Sequence, residues 1–141
     1  MVCDRPHLGE LSRDECDRLL AASQIGRVVM TADALPVALP VNYSYDGSEI
    51  VFRTGEGAKM SAAREGVVVA FEIDDFDPET RTGWSVLATG IARVVTGPGA
   101  VLRADRLRLE SWWVSDGHYV AIDVGLLSGR RIGGATVPTP D

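Results

Sequence analysis

Hydrophobic positions first become periodic after residue 11. Ser12, followed three residues later by Glu15, forms the capping-box pattern of a helix start. Cys16 and Leu20 then recur at helical spacing and define one apolar face. The pattern predicts a single amphipathic helix that packs flat against the rest of the domain. We take Gly26 as the stop signal behind this helix.

Residues 25–54 switch to the alternating pattern of strands. Three segments are rich in β-branched and aromatic side chains: residues 25–32, 37–45 and 48–54. Asp46 and Gly47 form the dipeptide of a tight hairpin between the last two segments. The region therefore predicts a three-stranded antiparallel meander. Pro36 and Pro40 favour an edge position for its second strand, because proline cannot donate to a ladder.

The second half of the chain continues with short strands and two further helices. The predicted helices cover residues 59–65, closed by Gly66, and residues 100–110. Between them lie a buried strand, an acidic loop and a long strand with an expected bend at Gly90. These three segments are residues 67–74, 74–82 and 84–96. A last strand at residues 118–123 precedes a basic segment at residues 128–132.

The sum is about six strands and three helices, dominated by antiparallel hairpins. This count favours a mainly β fold, a six-stranded antiparallel barrel with about three flanking helices. A β-sandwich is the alternative. We expect one domain over residues 11–133, with an N-terminal arm at residues 1–10 and a frayed tail at residues 134–141.

Composition and charge narrow the class of protein. The 141 residues are 45% hydrophobic and 24% charged, which is typical of one globular domain. The net charge of −6 argues against a nucleic-acid partner, which needs surplus cations. No apolar run reaches membrane-spanning length, and the first residues lack a signal-peptide pattern, so we expect a cytoplasmic protein. Cys3 and Cys16 are expected to be free thiols, and two histidines make no convincing metal set.

The most informative stretch for chemistry is residues 52–62, FRTGEGAKMSA. It places Arg53 and Thr54 at a strand end, a glycine-containing loop next, and Lys59 at the start of a helix. Unpaired helix N–H groups, a guanidinium and an ammonium together suit a phosphate. Lys59 is the sole lysine in a chain with thirteen arginines, which points to a position that requires an ammonium. The alternative reading is a hairpin end with two solvated bases.

Two other short segments are candidates for a binding site. The first is Val41, Asn42 and Tyr43, whose backbone and amide groups can hydrogen-bond a planar heterocycle; a protected edge strand is the alternative. The second is Trp84 and Ser85, which can line a pocket; core packing or a subunit interface is the alternative.

Several further patterns carry less chemistry. The adjacent Trp112 and Trp113 pose the same choice between a pocket wall and a subunit interface. The acidic run in residues 72–79 lacks the spacing of a calcium loop and reads as a solvated loop. His7 and His118 have no partner pattern for a catalytic triad, so hydrolase interpretations receive little weight.

The order of these pieces resembles the pyridoxamine 5′-phosphate oxidase-like family of FMN-binding split barrels. More narrowly, it is similar to the small bacterial flavin-binding branch that contains nitroimidazole-resistance proteins. The resemblance spans residues 11–132 and rests on an ordered set of motifs rather than one. These motifs are the capped helix, Pro40–Tyr43 before Asp46-Gly47, Phe52-x-Thr54 with Lys59, Trp84-Ser85-Val86 with Gly90, and the closing segment 128–132.

The resemblance implies a homodimer with FMN at the subunit interface, a deazaflavin being the alternative cofactor. It implies that Arg53, Thr54 and Lys59 hold the phosphate. The full set of cofactor-binding residues it implies is Val41, Asn42, Tyr43, Phe52, Arg53, Thr54, Lys59, Trp84 and Ser85.

The same resemblance leaves two functions open. The first is an FMN-dependent oxidoreductase that acts on a small molecule. The second is a non-catalytic flavin, deazaflavin or haem carrier, with His118 or His7 as candidate haem ligands. Pyridoxamine phosphate is not the expected substrate. Residues 37–39 are apolar where the oxidase carries a basic residue, and Trp84 and Ser85 stand where it carries Arg and Gln.

Overall fold

One antiparallel sheet closes on itself and forms a barrel. The computed structural model describes residues 8–109 and 117–133. Within those residues the elements follow in this order: β1 (Leu8–Glu10), α1 (Arg13–Ala22), β2 (Ile25–Ala32), β3 (Leu35–Tyr45), β4 (Glu49–Thr54), α2 (Ala58–Glu65), β5 (Val68–Asp77), β6 (Thr82–Val94), α3 (Pro98–Arg106) and β7 (His118–Ile132).

The sheet runs in the order β1-β7-β4-β3-β2-β5-β6, and β6 also pairs with β7. That last pairing closes six strands into a ring and confirms the predicted mainly β barrel over the sandwich. The short β1 is an addition outside the ring, bonded to the far end of β7. The prediction of a loose arm over residues 1–10 is therefore wrong for residues 8–10, because the long β7 offers them a free edge.

Strand β7 is one continuous element from His118 to Ile132, not the separate strand and basic segment that the sequence predicted. One of its edges pairs with β6 from end to end. The register shifts between Thr89 and Gly90, where a Cβ on Gly90 would lie 1.7 Å from the Asp123 carbonyl oxygen. Gly90 thus marks the expected irregularity, and the bulge lets the two long strands curve around the core.

Gly26 does not end the first helix. Helix α1 begins behind the predicted capping box, in which the Glu15 N–H donates to Ser12 Oγ at 3.1 Å, and it ends at Ala22. Gly26 lies inside β2, where an added Cβ would come within 2.3 Å of the Phe71 ring. The glycine is needed for close packing against the neighbouring strand β5 and not for a helix stop.

The two prolines of β3 do not place it at an edge, because β3 lies between β2 and β4. Pro36 and Pro40 pair with β2, whereas the β4 ladder covers only Tyr43–Tyr45 of this strand. Within the described residues, the prolines therefore occupy a stretch whose other edge carries no ladder.

The bounds of three further elements differ from the predictions. Strand β5 runs on to Asp77 and β6 starts at Thr82, so the expected acidic loop is a short turn. Helix α3 starts at Pro98, which suits a first helical position, and ends at Arg106. Helix α2 and its left-handed Gly66 cap agree with the prediction.

Alternation along β4 separates two environments. Ile50, Phe52 and Thr54 face the barrel interior, whereas Val51 and Arg53 face outward. The interior core also receives α1 through Cys16 and Leu20 and α2 through Met60, Ala62 and Ala63. Helix α3 covers the outer face and forms a smaller cluster of Val51, Ala104, Tyr119 and Ala121.

Candidate functional site

The outer face of β4 presents an arginine whose side chain lacks a full set of partners. Arg53 lies opposite Tyr119 in the β4–β7 ladder, and its Cζ is 5.7 Å from the centroid of that ring. Its Nε is buried and makes no hydrogen bond within the described residues. A buried N–H donor without an acceptor is costly, so this group is poised for an acceptor that a ligand supplies.

Asn42, on the neighbouring strand β3, has a buried side-chain acceptor that complements the buried donor of Arg53. Because Tyr43 pairs with Phe52, Asn42 is next to Arg53 in the register of β3 and β4. Its Oδ1 is buried and accepts no hydrogen bond within the described ranges. The residue lines a cavity of about 410 Å³ together with Gln24 and Arg108.

The loop after β4 leads from these groups into α2. Thr54 is 4% exposed, and its hydroxyl donates to the neighbouring Gly55 carbonyl at 3.2 Å. Gly57 is the N-cap of α2 and has φ 143°, a conformation that favours glycine, with no side-chain cap on the helix. The first N–H groups of α2 are therefore open to an anion.

Lys59 stands in the first turn of this helix and is half-buried. Burial lowers the pKa of its ammonium group. Among the residues that the structure describes, none forms an ion pair with it. An ammonium that is partly removed from water without a counter-ion is the second cation here that a bound anion can satisfy.

Glu56 is the acidic residue of the loop, and its carboxylate contacts Arg64 and His118. Its two carboxylate oxygens accept from Arg64 Nη1 and Nη2 at 2.8 and 2.9 Å. The second oxygen is also 3.4 Å from His118 Nε2. The Arg64 hydrogen bonds are the largest cause of a lowered Glu56 pKa.

Besides Thr54, three of the predicted site residues point their side chains into the barrel interior, away from any ligand on the outer face. Val41, Tyr43 and Phe52 are 3%, 5% and 1% exposed and belong to the interior core. The Tyr43 hydroxyl donates to the Leu20 carbonyl at 2.6 Å, and burial raises its pKa. These three residues shape the strands under the site and can border a ligand only through their main chain.

Trp84 and Ser85 lie at the other end of the barrel. Ser85 pairs with Arg130 on β7, and Arg53 pairs with Tyr119 on the same strand. These two β7 residues are eleven positions apart. At about 3.3 Å per residue, the two groups of predicted residues are roughly 35 Å apart along the strand. Trp84 is half-buried, packs against the core and lines a separate cavity of about 280 Å³.

The remaining candidates give no competing site in the part of the chain that the structure describes. Cys3, His7, Trp112 and Trp113 lie outside the described residues. His118 is exposed and adjoins Glu56. Within residues 8–109 and 117–133, no group of three or more His, Cys, Asp or Glu side chains could hold a metal ion. No helix in that part of the chain is long and apolar enough to cross a membrane.

Sequence reasoning missed Tyr119, the aromatic partner of Arg53. The signal was available in the alternation of the last strand, where Val120 and Ile122 face inward and Tyr119 faces outward. The Tyr119 hydroxyl donates to Asp105 Oδ1 at 2.7 Å, which ties the site to α3. That contact depends on where α3 docks, and no local pattern reveals it.

Comparison with known proteins decides the family. A family profile described as pyridoxamine 5′-phosphate oxidase matches residues 12–131. The chain belongs to the pyridoxamine 5′-phosphate oxidase family. An uncharacterized protein of Mycobacterium tuberculosis is 46% identical over 129 residues, which cover 87% of this chain and 84% of that protein.

Two solved structures of flavin-binding proteins resemble the chain. The FAD binding protein from Mycobacterium smegmatis has 36% identity and a TM-score of 0.72, over 88% of this chain and 97% of that chain. An FAD-binding protein from Mesorhizobium loti has 22% identity and a TM-score of 0.77, over 91% of this chain and 98% of that chain. The second likeness shows the shared fold alone. The resemblance of the sequence to this family is thus confirmed.

Proposed function

We propose that this member of the pyridoxamine 5′-phosphate oxidase family is a flavin-dependent oxidoreductase that acts on a small molecule, with FMN as its cofactor. The observation that carries the proposal is that, among the described residues, the buried Nε of Arg53 makes no hydrogen bond and the half-buried ammonium of Lys59 forms no ion pair. The FAD-binding relative at 36% identity supports a flavin. FMN, FAD and a deazaflavin all carry a phosphate on the ribityl chain, so the cradle fits each of them.

The residues present fit such a group part by part. Arg53 can fork onto two phosphate oxygens, and Lys59 adds a compact charge. The open N–H groups at the start of α2 can donate to the same phosphate, whereas the interior-facing hydroxyl of Thr54 is used by the Gly55 carbonyl, so Thr54 can contribute only through its main chain. Asn42 Oδ1 can accept a hydrogen bond from an N–H of a ring that lies along β3. When bound, the flavin supplies hydride transfer, and these residues hold it in place.

A homodimer completes the site in this proposal. Trp84 and Ser85 lie eleven strand positions along β7 from Tyr119, the partner of Arg53, so in this proposal Trp84 and Ser85 of the partner subunit supply the second wall. Exposed aliphatic side chains support the pairing, because they lie on one outer face of neighbouring strands. They are Val29, Val68, Leu87, Ile91 and Leu126, with exposures from 36% to 71%. An exposed apolar face of this kind marks an interaction surface.

The alternative function is a flavin or deazaflavin carrier. It uses the same phosphate cradle, because the residues above grip the phosphate and not the reacting ring. Flavin binding alone therefore does not distinguish an enzyme from a carrier. The test has to measure whether the bound flavin is reduced.

The test starts with titration of the purified protein with FMN, FAD and riboflavin, followed by light scattering and rapid mixing with NADH or NADPH. We expect FMN to bind at least about tenfold more tightly than riboflavin, since a charge-assisted hydrogen bond contributes about 1.5–3 kcal/mol. We also expect the mass of two chains and reduction of the bound flavin. A protein that cannot be loaded with any flavin contradicts the proposal, a flavin that neither nucleotide reduces favours the carrier, and a flavin-loaded monomer contradicts the dimer.

A further inference from the structure

The loop that forms the phosphate cradle has one side chain that ties it to the rest of the domain. Glu56 lies between Gly55 and Gly57, and its carboxylate spans two other elements. Arg64 near the end of α2 grips both oxygens, and His118 at the start of β7 approaches one of them. The three-residue loop is thus anchored to the helix that follows it and to the strand beside it.

The anchor matters because little else fixes this loop. Glycine loses more backbone freedom on ordering than any other residue, and two glycines flank Glu56. Helix α2 has no side-chain cap at its N-terminus. Among the described residues, nearby hydrogen bonds run from the Thr54 hydroxyl to the Gly55 carbonyl at 3.2 Å and from the Ser61 N–H to the Gly57 carbonyl at 2.9 Å. Without Glu56, the N–H groups of the loop are free to turn away from a phosphate.

The orientation of Glu56 also removes an electrostatic conflict. A carboxylate within a phosphate-binding loop repels the ligand unless its charge is paired. The bidentate contact with Arg64 supplies that pairing. It also holds the carboxylate against α2 and β7.

We propose that Glu56 is a positioning residue for the phosphate of the cofactor, acting through Arg64 and His118. This inference rests on the proposed flavin site. Glu56 fixes the loop so that its backbone N–H groups and the adjacent Lys59 face the phosphate before the ligand arrives. Preorganisation of this kind raises affinity because the ordering cost has already been met.

The test compares FMN with riboflavin, which lacks the phosphate, in titrations of the full chain. Glu56→Gln should weaken FMN binding about two- to fivefold, the range expected from exposed ion pairs, and leave riboflavin binding unchanged. Arg64→Gln should have the same selective effect. The double variant should lose no more than the worse single variant, because both changes break one contact. Glu65→Gln, at the next position on α2, serves as the control and should bind both ligands as the unaltered chain does.

The outcomes separate this inference from the proposed function. If the unaltered chain binds FMN no better than riboflavin, the phosphate site itself is wrong. If it prefers FMN but Glu56→Gln keeps or improves that preference, the site stands and the role of Glu56 is refuted. Equal weakening of FMN and riboflavin by Glu56→Gln also refutes it, because that result indicates general damage to the fold. Glu56→Asp, which keeps the charge, should recover part of the preference for FMN.

Discussion

The sharpest prediction concerns Lys59, where the binding role and the stability of the fold oppose each other. Replacing Lys59 by Met keeps the length and the apolar part of the side chain but removes the ammonium. Because burial disfavours that charge and no described residue pairs with it, the unliganded variant should be at least as stable as the unaltered protein. FMN affinity should nevertheless fall about 10–150-fold, the value of one charge-assisted hydrogen bond.

The loss of FMN affinity in Lys59→Met can be measured from how much FMN stabilises each protein against unfolding. At an FMN concentration of about 100 times the dissociation constant, the unaltered protein gains about 2.7 kcal/mol of unfolding free energy. At that same concentration, a 10–150-fold weaker variant gains only about 0.3–1.4 kcal/mol. At roughly 3 °C per kcal/mol for a domain of this size, FMN should raise the unfolding midpoint by about 8 °C in one case and about 1–4 °C in the other.

Thermal unfolding with and without FMN measures both quantities in one experiment, and a fluorescence titration gives the affinity directly. Arg18→Met removes an exposed cation on α1 and serves as the control, with the full FMN shift expected. An unchanged FMN shift in Lys59→Met would refute the phosphate role. A large loss of stability in the unliganded variant would refute the account of Lys59 as an unpaired, partly desolvated charge.

Two further predictions concern the barrel itself. Gly26→Ala should cost about 1–3 kcal/mol of unfolding free energy, because the new methyl overlaps the Phe71 ring. Gly125→Ala is the control and should cost much less, because the nearest atom to its new methyl is 3.6 Å away. Chemical denaturation measures the unfolding free energy of both variants. Burial and the adjacent Asp74 carboxyl raise the pKa of Glu72 to about 7, above its usual 4.5, and they outweigh the Arg27 guanidinium, whose Nη1 donates to Glu72 Oε1 at 2.9 Å and lowers this pKa. An acid with a raised pKa loses stability as pH rises between these values, so Glu72→Gln should stabilise the fold at pH 8 and have little effect at pH 4.5. An equal effect of Glu72→Gln at both pH values contradicts this reasoning.

The local patterns of the sequence correctly predicted most elements of the fold, and the reason is physical. Capping boxes, hairpin dipeptides and left-handed helix caps act within a few residues, so Ser12 with Glu15, Asp46-Gly47 and Gly66 favour the same local structure that the fold contains. The sequence alone could also suggest a phosphate-binding site, because the residues concerned are close together in the chain. They are Arg53, Thr54 and Lys59. Whether those residues bind a phosphate stays a prediction until the titrations are made.

Other features depend on contacts between distant segments, and only the tertiary structure decided them. Gly26 looks like a helix stop in the sequence, but its role comes from the Phe71 ring on another strand. Likewise, Tyr119 becomes the partner of Arg53 through the β4–β7 ladder, and Glu56 meets His118 through the same pairing. Segments far apart in the chain meet only when the strands of the barrel pair. The local sequence therefore does not reveal which side chains on those strands contact each other.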